Sequence, residues 1–208
     1  DYILHQAALG SVPRSINDPL TSNDVNVSVT LNVFNAAVEK KIDRVVYAAS
    51  SSTFGDSEIL PKSEEVIGKP LSPYAVTKLV NELYAEVFYK VYELKTVGLR
   101  YFNVYGPKQN PNGPYAAVIP AFVECLLDNV APKINGDGSQ SRDFTYVDNV
   151  VQANIKAMLS EKVTTNEVFN VACGEQTTLN ELFDQLKQLD GSDINAVHGP
   201  DRKGDVMH

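Results

Sequence analysis

The chain has 208 residues, 43% of them hydrophobic, with 18 Lys and Arg against 26 Asp and Glu, a formal charge of −8. That length fits one large domain or one and a half smaller ones, and the apolar content allows a sizeable core. The acidic balance and the lack of a Lys/Arg run argue against a nucleic-acid partner, and no apolar stretch nears the roughly 20 residues that span a membrane.

Apolar runs alternate with longer helical patterns, the signature of an α/β fold with a mostly parallel sheet. Tyr2 to Leu4 reads as the end of a buried strand, followed by a loop holding Gly10 and Pro13. A helix is expected over about 22–41, with Val25, Val29, Val33 and Val38 on or near its apolar side. Arg44 to Ser50 is apolar along its length, as a strand covered on both faces should be. A loop with Pro and Gly follows to Pro73, and then a helix over about 74–92. Lys95 to Tyr101 reads as a third strand. The irregular segment after Asn103 lies at a strand's carboxyl end, where open α/β sheets hold ligands. Beyond it the pattern predicts a helix near 118–127, a short strand at 133–135, a helix near 148–159 and a strand at 168–171. Thr178 then caps a helix running to about Leu189, with Glu181 completing a capping box.

Cys125 and Cys173 stand in no metal-ligand spacing and are expected to be reduced, buried thiols. His5, His198 and His208 are scattered and suggest no metal site. The chain opens on Asp1 with no signal peptide, so a cytoplasmic protein is the expectation.

Tyr74 and Lys78 stand four apart, which on a helix puts both side chains on one face, one turn apart. A phenol with a pKa near 10 is a poor base at neutral pH, and a neighbouring ammonium favours its ionised form. Alone, the pair would equally suit a surface helix with an exposed Lys and a half-buried Tyr. Ser50, Ser51 and Ser52 sit just past a strand, and three adjacent hydroxyls there suit a substrate oxygen; alone, they would read as a Ser-rich turn.

Together these motifs resemble the extended short-chain dehydrogenase/reductase family, that is, the NAD-dependent epimerases and dehydratases. The pattern continues through His5-Gln6-Ala7-Ala8, Ser50 to Asp56, Ser72-Pro73-Tyr74, Arg100 to Pro107, Asn135 to Gly138 and Arg142-Asp143-Phe144. Within the family it is most similar to the UDP-glucose and UDP-N-acetylglucosamine 4-epimerases, and Gly10 to Ser15 resembles the N-acetylhexosamine branch.

The resemblance implies a Rossmann-like doubly wound parallel sheet with a smaller C-terminal α/β region. Residues 1–105 would form part of an NAD-binding domain. Residues 106–208 would mainly bind a UDP-sugar, with the chain crossing back to the sheet around 140–171. It implies NAD as cofactor and reversible C4 epimerisation through a 4-keto sugar. Tyr74 would be the base, Lys78 would hold the nicotinamide ribose and lower the tyrosine pKa, and Ser50 would bridge sugar and tyrosine, with Ser51 and Ser52 lining the same pocket. Gln6, Ala7, Ala8, Tyr101 and Val104 would contact the cofactor. Ser11 would touch the sugar, Asn103 the diphosphate, and Ala117, Val118 and Asn135 the uridine. Arg142 and Arg202 would hold phosphate, as planar bidentate donors do well, and Asp205 would reach the ribose. Members of the family pair as dimers through two helices, which here would be those at 22–41 and 74–92.

Two departures bear on these expectations. The family's Gly-x-x-Gly-x-x-Gly turn is absent, so the sequence is expected to start after the first strands of the dinucleotide-binding domain, and to stop before the family's final helix. That absence leaves open a catalytically silent nucleotide-binding fragment. A nucleotide-sugar 4,6-dehydratase is a further alternative, but it needs an Asp-Glu acid and base where this chain has Ser51 and Ser52.

Overall fold

The computed structural model describes residues 1–112 and 116–200. The strands are β1 (Tyr2–His5), β2 (Arg44–Ser50), β3 (Thr96–Tyr101), β4 (Asn103–Tyr105), β5 (Lys133–Asn135), β6 (Ser141–Arg142), β7 (Phe144–Tyr146), β8 (Glu167–Val171), β9 (Thr177–Thr178) and β10 (Val197–Gly199). The helices are α1 (Val12–Asn17), α2 (Pro19–Asn23), α3 (Val29–Glu39), α4 (Pro73–Tyr92), α5 (Val118–Leu127), α6 (Val147–Leu159) and α7 (Leu179–Asp190). No helix among the described residues is long and apolar enough to cross a membrane.

The chain divides into two compact units. The first comprises Asp1–Phe102 and Val147–Ala172. Its sheet has the order β1-β2-β3-β8 with every pairing parallel. Side chains alternate across a strand. Val45, Tyr47 and Ala49 of β2 accordingly enter a core with Phe34 and Ala37 of α3 and Ala85 and Phe88 of α4. The Phe34 ring meets Tyr47 edge-on at 5.6 Å and Phe88 at 5.6 Å. Gly98 on β3 makes room for that tyrosine, since a Cβ there would lie 2.6 Å from the Tyr47 hydroxyl oxygen.

Arg44 has the other parity of β2. Its guanidinium donates to the carbonyls of Ala157, Met158 and Val163, at and beyond the C-terminal end of α6. The carbonyls of Ala157 and Met158 have no partner within the helix, so the terminal nitrogens of a charge at the start of a core strand are met at a helix end, while its buried Nε stays unbonded. Helices therefore cover both faces, and the expected Rossmann-like, doubly wound α/β fold is present.

Helix α4 starts where the sequence requires it. Ser72 accepts the Ala75 N–H at its N-cap, Pro73 opens the first turn, and Glu93 ends the helix in left-handed backbone with φ 57°. Ala75, Lys78, Glu82 and Ala85 face inward at helical spacing. Glu82 forms a buried two-point ion pair with Arg100 of β3, at 2.9 and 2.8 Å, and that guanidinium lies 5.1 Å from the Phe54 ring. Arg100 also donates to the Glu64 carbonyl, so the pair ties α4, β3 and the 51–72 loop together. Removing either charge would strand the other in the core, at a cost of about 3–5 kcal/mol.

The second unit comprises Asn103–Tyr146 and the chain from Cys173 onward. It is built from two-stranded pairs: β4 with β7 and β5 with β10, both parallel, and β6 with β9, antiparallel. Helices α5 and α7 pack Phe122, Leu126, Leu182 and Phe183 around Ile134 of β5. Thr178 and Glu181 form the expected capping box at the start of α7.

Three local expectations are corrected. The helix expected over 22–41 is broken: α2 and α3 flank a π-helical turn over Asp24–Ser28. The loop around Pro13 contains α1, with Pro13 in its first turn and Ser11 as its cap. Both cysteines are free thiols but neither is buried, Cys125 being half-buried and Cys173 exposed, because Cys125 lies off the packed side of α5 and Cys173 lies in a loop after β8.

Candidate active site

In a parallel sheet all carboxyl ends share one edge, and ligands of open α/β sheets bind there. In the first unit this edge carries Gln6 after β1, Ser50 at the end of β2 and Tyr101 at the end of β3, the last two paired in register. Helix α4 follows the 51–72 loop and brings Tyr74 and Lys78 to the same place.

Ser50 is the hub. Its oxygen accepts from the Ser52 N–H at 3.2 Å and from the Ser52 hydroxyl at 2.9 Å. A hydroxyl has two lone pairs and one proton, so that proton stays available to the neighbouring Tyr74 phenol, whose pKa Ser50 pulls down. The serines turn through a short 3₁₀ segment over Ser51–Phe54, closed by Gly55 at φ 52°. Only glycine fits there, since a Cβ would collide with the Lys69 carbonyl.

Lys78 is 3% exposed. One of its three N–H bonds goes to the Ala48 carbonyl at 2.7 Å, and its Nζ lies 5.8 Å from the Tyr74 ring centroid. No carboxylate among the described residues pairs with it. Burial alone pushes its pKa down to about 8. Burial pushes the Tyr74 phenol up, opposed by the Ser50 hydrogen bond.

His5 sits close by. Thr30 gives its proton to the Asn26 carbonyl at 2.7 Å, so the 2.9 Å contact between His5 Nε2 and Thr30 Oγ1 must be donated by the imidazole. Burial first, and the Lys78 charge second, hold the His5 pKa below its ordinary value, which keeps the ring neutral.

Several contributing residues escaped the sequence reading. Asn26, fully buried in the π-helical turn, grips Leu9 at both N–H (2.7 Å) and C=O (3.3 Å) and donates to Thr77 at 3.1 Å. Thr77 in turn donates to the Tyr74 carbonyl, and Ser15 accepts the Tyr74 N–H at 3.0 Å. The 9–15 segment is thus registered on the first turn of α4. Asn154 of α6 bonds to both Gln6 and Tyr101. The available signal was a polar residue at a core-facing helical position: Asn26 is followed by buried Thr30 four residues on, and Asn154 stands between buried Val150 and Ala157.

The sequence-predicted residues fall as follows. Ser50, Ser51, Ser52, Tyr74, Lys78, Gln6, Ala7, Ala8, Ser11 and Tyr101 lie in the first unit. The Ser11 hydroxyl accepts the Arg14 N–H as a helix cap. The other positions lie in the second unit. Asn103 donates its backbone N–H to the Asp143 carbonyl at 3.0 Å, and the Val104 carbonyl accepts from Gln109. Ala117 precedes α5, whose first turn has no side-chain cap, and Val118 borders the α5–α7 core. The Asn135 carbonyl accepts from Gln140 at 2.7 Å. Arg142 on β6 donates to the Ser141 carbonyl, and its neighbour Asp143 binds the N–H groups of Cys173, Gly174 and Glu175. Arg202 and Asp205 lie outside the described residues.

A strand-end serine, a tyrosine at a helix start and a buried lysine one turn on thus meet at the carboxyl edge of the sheet. Residues 1–172 match the NAD dependent epimerase/dehydratase family, and the chain belongs to that family. It is 38% identical over 207 residues to a putative UDP-glucose 4-epimerase of Methanocaldococcus jannaschii, covering 99% of this chain and 66% of that protein. Among solved structures it is similar to the UDP-N-acetylglucosamine 4-epimerase of Methanobrevibacter ruminantium in complex with UDP-N-acetylmuramic acid. That match has a TM-score of 0.96 and 43% identity, over 100% of this chain and 66% of the other. It is also similar to the UDP-glucose 4-epimerase of Thermotoga maritima with UDP-glucose, with a TM-score of 0.94 and 38% identity over 99% of this chain and 66% of the other. The chain therefore spans just under two thirds of the length of each of these relatives.

Proposed function

We propose that the protein interconverts the C4 epimers of a UDP-hexose with NAD as a bound cofactor, the pair being UDP-N-acetylglucosamine and UDP-N-acetylgalactosamine or a related one. The observation that carries this reading is Lys78. A buried ammonium with no carboxylate partner is expensive, and such groups concentrate at functional sites. Ala48 takes one of its N–H bonds, which leaves two donors for the ribose hydroxyls of a dinucleotide beside Ala7 and Ala8. NAD, when bound, supplies a hydride acceptor and donor, so no outside reductant is consumed.

The chain's own groups handle the proton. Tyr74 takes it from the sugar O4 and returns it after the 4-keto sugar has turned over. The Ser50 hydroxyl favours the ionised phenol against the upward push of burial, and Lys78, whose charge is expected to lower the phenol pKa, contributes no resolved shift to it. Asn103 and Arg142, with Arg202, receive the diphosphate, where a guanidinium supplies paired donors to an acidic chain. Ala117, Val118 and Asn135 border the uridine, Ser11 the sugar and Asp205 the ribose. Ser51 and Ser52 line the sugar pocket and cannot supply the acid and base that dehydration requires. The N-acetylated pair is favoured by the relative from Methanobrevibacter ruminantium and by the Gly10 to Ser15 segment.

The complete protein, incubated with UDP-N-acetylglucosamine or UDP-glucose and no added reductant, is expected to form the C4 epimer of at least one of them. A 4-keto-6-deoxy product, or no conversion of either sugar, would overturn the reading.

The same proposal includes a homodimer through the helices over 22–41 and 74–92. Val76, Leu83, Val87 and Val91 leave an apolar stripe on α4 that is 48–62% exposed, and a stripe of this kind marks an interaction surface. Sedimentation should give a dimer that Leu83→Asp converts to monomer; a wild-type monomer at micromolar concentration would rule the pairing out.

A further inference from the structure

We propose that Asn154 is a positioning residue that fixes which end of the Gln6 amide faces the cofactor. The inference rests on the cofactor reading above and deepens it. Gln6, Tyr101 and Asn154 come from three elements and close a ring of hydrogen bonds. Asn154 Nδ2 donates to the Tyr101 hydroxyl at 2.8 Å and to the Val150 carbonyl at 2.8 Å. The Tyr101 hydroxyl donates to Gln6 Oε1 at 2.7 Å, and Gln6 Nε2 donates to Asn154 Oδ1 at 3.1 Å.

The polarity of this ring follows from its one fixed point. A backbone carbonyl can only accept, so the nitrogen of Asn154 must face Val150. Its oxygen then faces Gln6, which requires the Gln6 nitrogen on that side. The Gln6 oxygen is turned to Tyr101, and the phenol, already accepting from Asn154, donates to it. No amide in the ring can flip without setting two donors or two acceptors against each other.

Asn154 is 8% exposed, in the packed row with Val150 and Ala157. Gln6 is exposed at the ligand edge of the sheet. An amide has two N–H donors and two oxygen lone pairs, so Gln6 keeps one of each for a ligand. A free glutamine would have to be immobilised on binding; here α6 holds it in advance, which is the general source of affinity through preorganisation. A dinucleotide, whose hydroxyls both donate and accept, suits this pair.

The test is a double-variant cycle on NAD affinity, read by calorimetry on the complete protein, with UDP affinity as the internal control. Gln6→Ala is expected to weaken NAD binding roughly tenfold, and Asn154→Ala about three- to tenfold, if preorganisation has its usual weight. In the Gln6→Ala background, Asn154→Ala should change NAD affinity less than about twofold, because the amide it orients is gone. UDP affinity should stay unchanged in all three variants. Asn154→Leu keeps about the size of the side chain while removing both its donors and its acceptor, so it serves if the alanine variant fails to fold, and the same pattern is expected. The same loss of NAD affinity in both backgrounds, a parallel loss of UDP affinity, or no effect of either Asn154 variant would overturn the inference. Failure of the wild type to bind NAD is a separate outcome, which overturns the cofactor reading and this inference with it.

Discussion

Tyr74→Phe is expected to lower epimerase turnover about a thousandfold, the middle of the range for a lost general base, while leaving UDP-sugar affinity within about threefold. The substitution removes one oxygen and nothing else. That oxygen is bonded to Ser50, at a site where the tyrosine is half-buried. The stability cost should therefore stay near 1 kcal/mol, the worth of one such bond. The His5 Nε2–H is committed to Thr30. In the free protein burial holds the Tyr74 pKa above its ordinary value, so the phenol is neutral at pH 7. The positive charge that NAD would bring, when bound, would favour the phenolate, so activation is expected only in the loaded site. Turnover of the variant within tenfold of wild type would mean that another group takes the proton, and the assignment of Tyr74 would fall.

The parts of this fold legible in the sequence are those with a strong period and a cap. Strand β2 is uninterrupted from Arg44 to Ser50, and α4 announces itself by Ser72-Pro73 and by inward positions three and four apart. Helix α7 carries its start signal in Thr178 and Glu181. Strands of two or three residues, such as β6, β7 and β9, are too short to show alternation, and they exist because distant segments pair with them. The π-helical turn at Asp24–Ser28 was illegible for a different reason. It inserts one extra residue per turn, and apolar positions on either side still look nearly periodic. Its cause is tertiary: the Asn26 carbonyl accepts from both Thr30 and Asn81 while its amide grips Leu9.

The candidate site divides the same way. Ser50, Tyr74 and Lys78 are readable because the proposed proton transfer would need those residue types in a fixed relation, and the strand end and helix start supply it. Their supports, Asn26, Ser15, Thr77 and Asn154, carry no such signature. Each is a small polar residue whose meaning is its partner, and those partners stand 51 residues away for Asn26 and Thr77, 59 for Ser15 and Tyr74, and 148 for Asn154 and Gln6. Pattern reading along a helix detects where apolar residues face inward, and treats a lone Asn among them as noise. In a core it is the opposite, since an unbonded buried amide is costly, and the bonds of Asn26 are what tie the loop after β1 to α4.

The second large effect is expected from Lys78→Met, which should abolish turnover and at the same time stabilise the nucleotide-free protein at pH 7. The folded chain lowers the lysine pKa from 10.5 to about 8 by burial, the reverse of a cation that gains a partner. Between about pH 8 and 10.5 the unfolded chain holds this proton and the folded chain does not. Folding stability therefore rises with pH through that window, and below it the folded protein bears the whole cost of the buried charge. The gap corresponds to roughly 3 kcal/mol. Methionine has nearly the same length and no charge, so it relieves that cost but gives up the bond to Ala48, worth about 1 kcal/mol. The expected net gain at pH 7 is roughly 2 kcal/mol, shrinking to nothing or reversing above pH 10. Urea titrations of both proteins at pH 7 and pH 10, after removal of bound nucleotide, measure the difference directly. The turnover loss should be on the order of a thousandfold, since the cofactor loses the donor proposed to position its ribose. Were Lys78→Met less stable than wild type at pH 7, the lysine would be a structural group with a partner, and the claim that it is held unpaired for a ligand would fail with it.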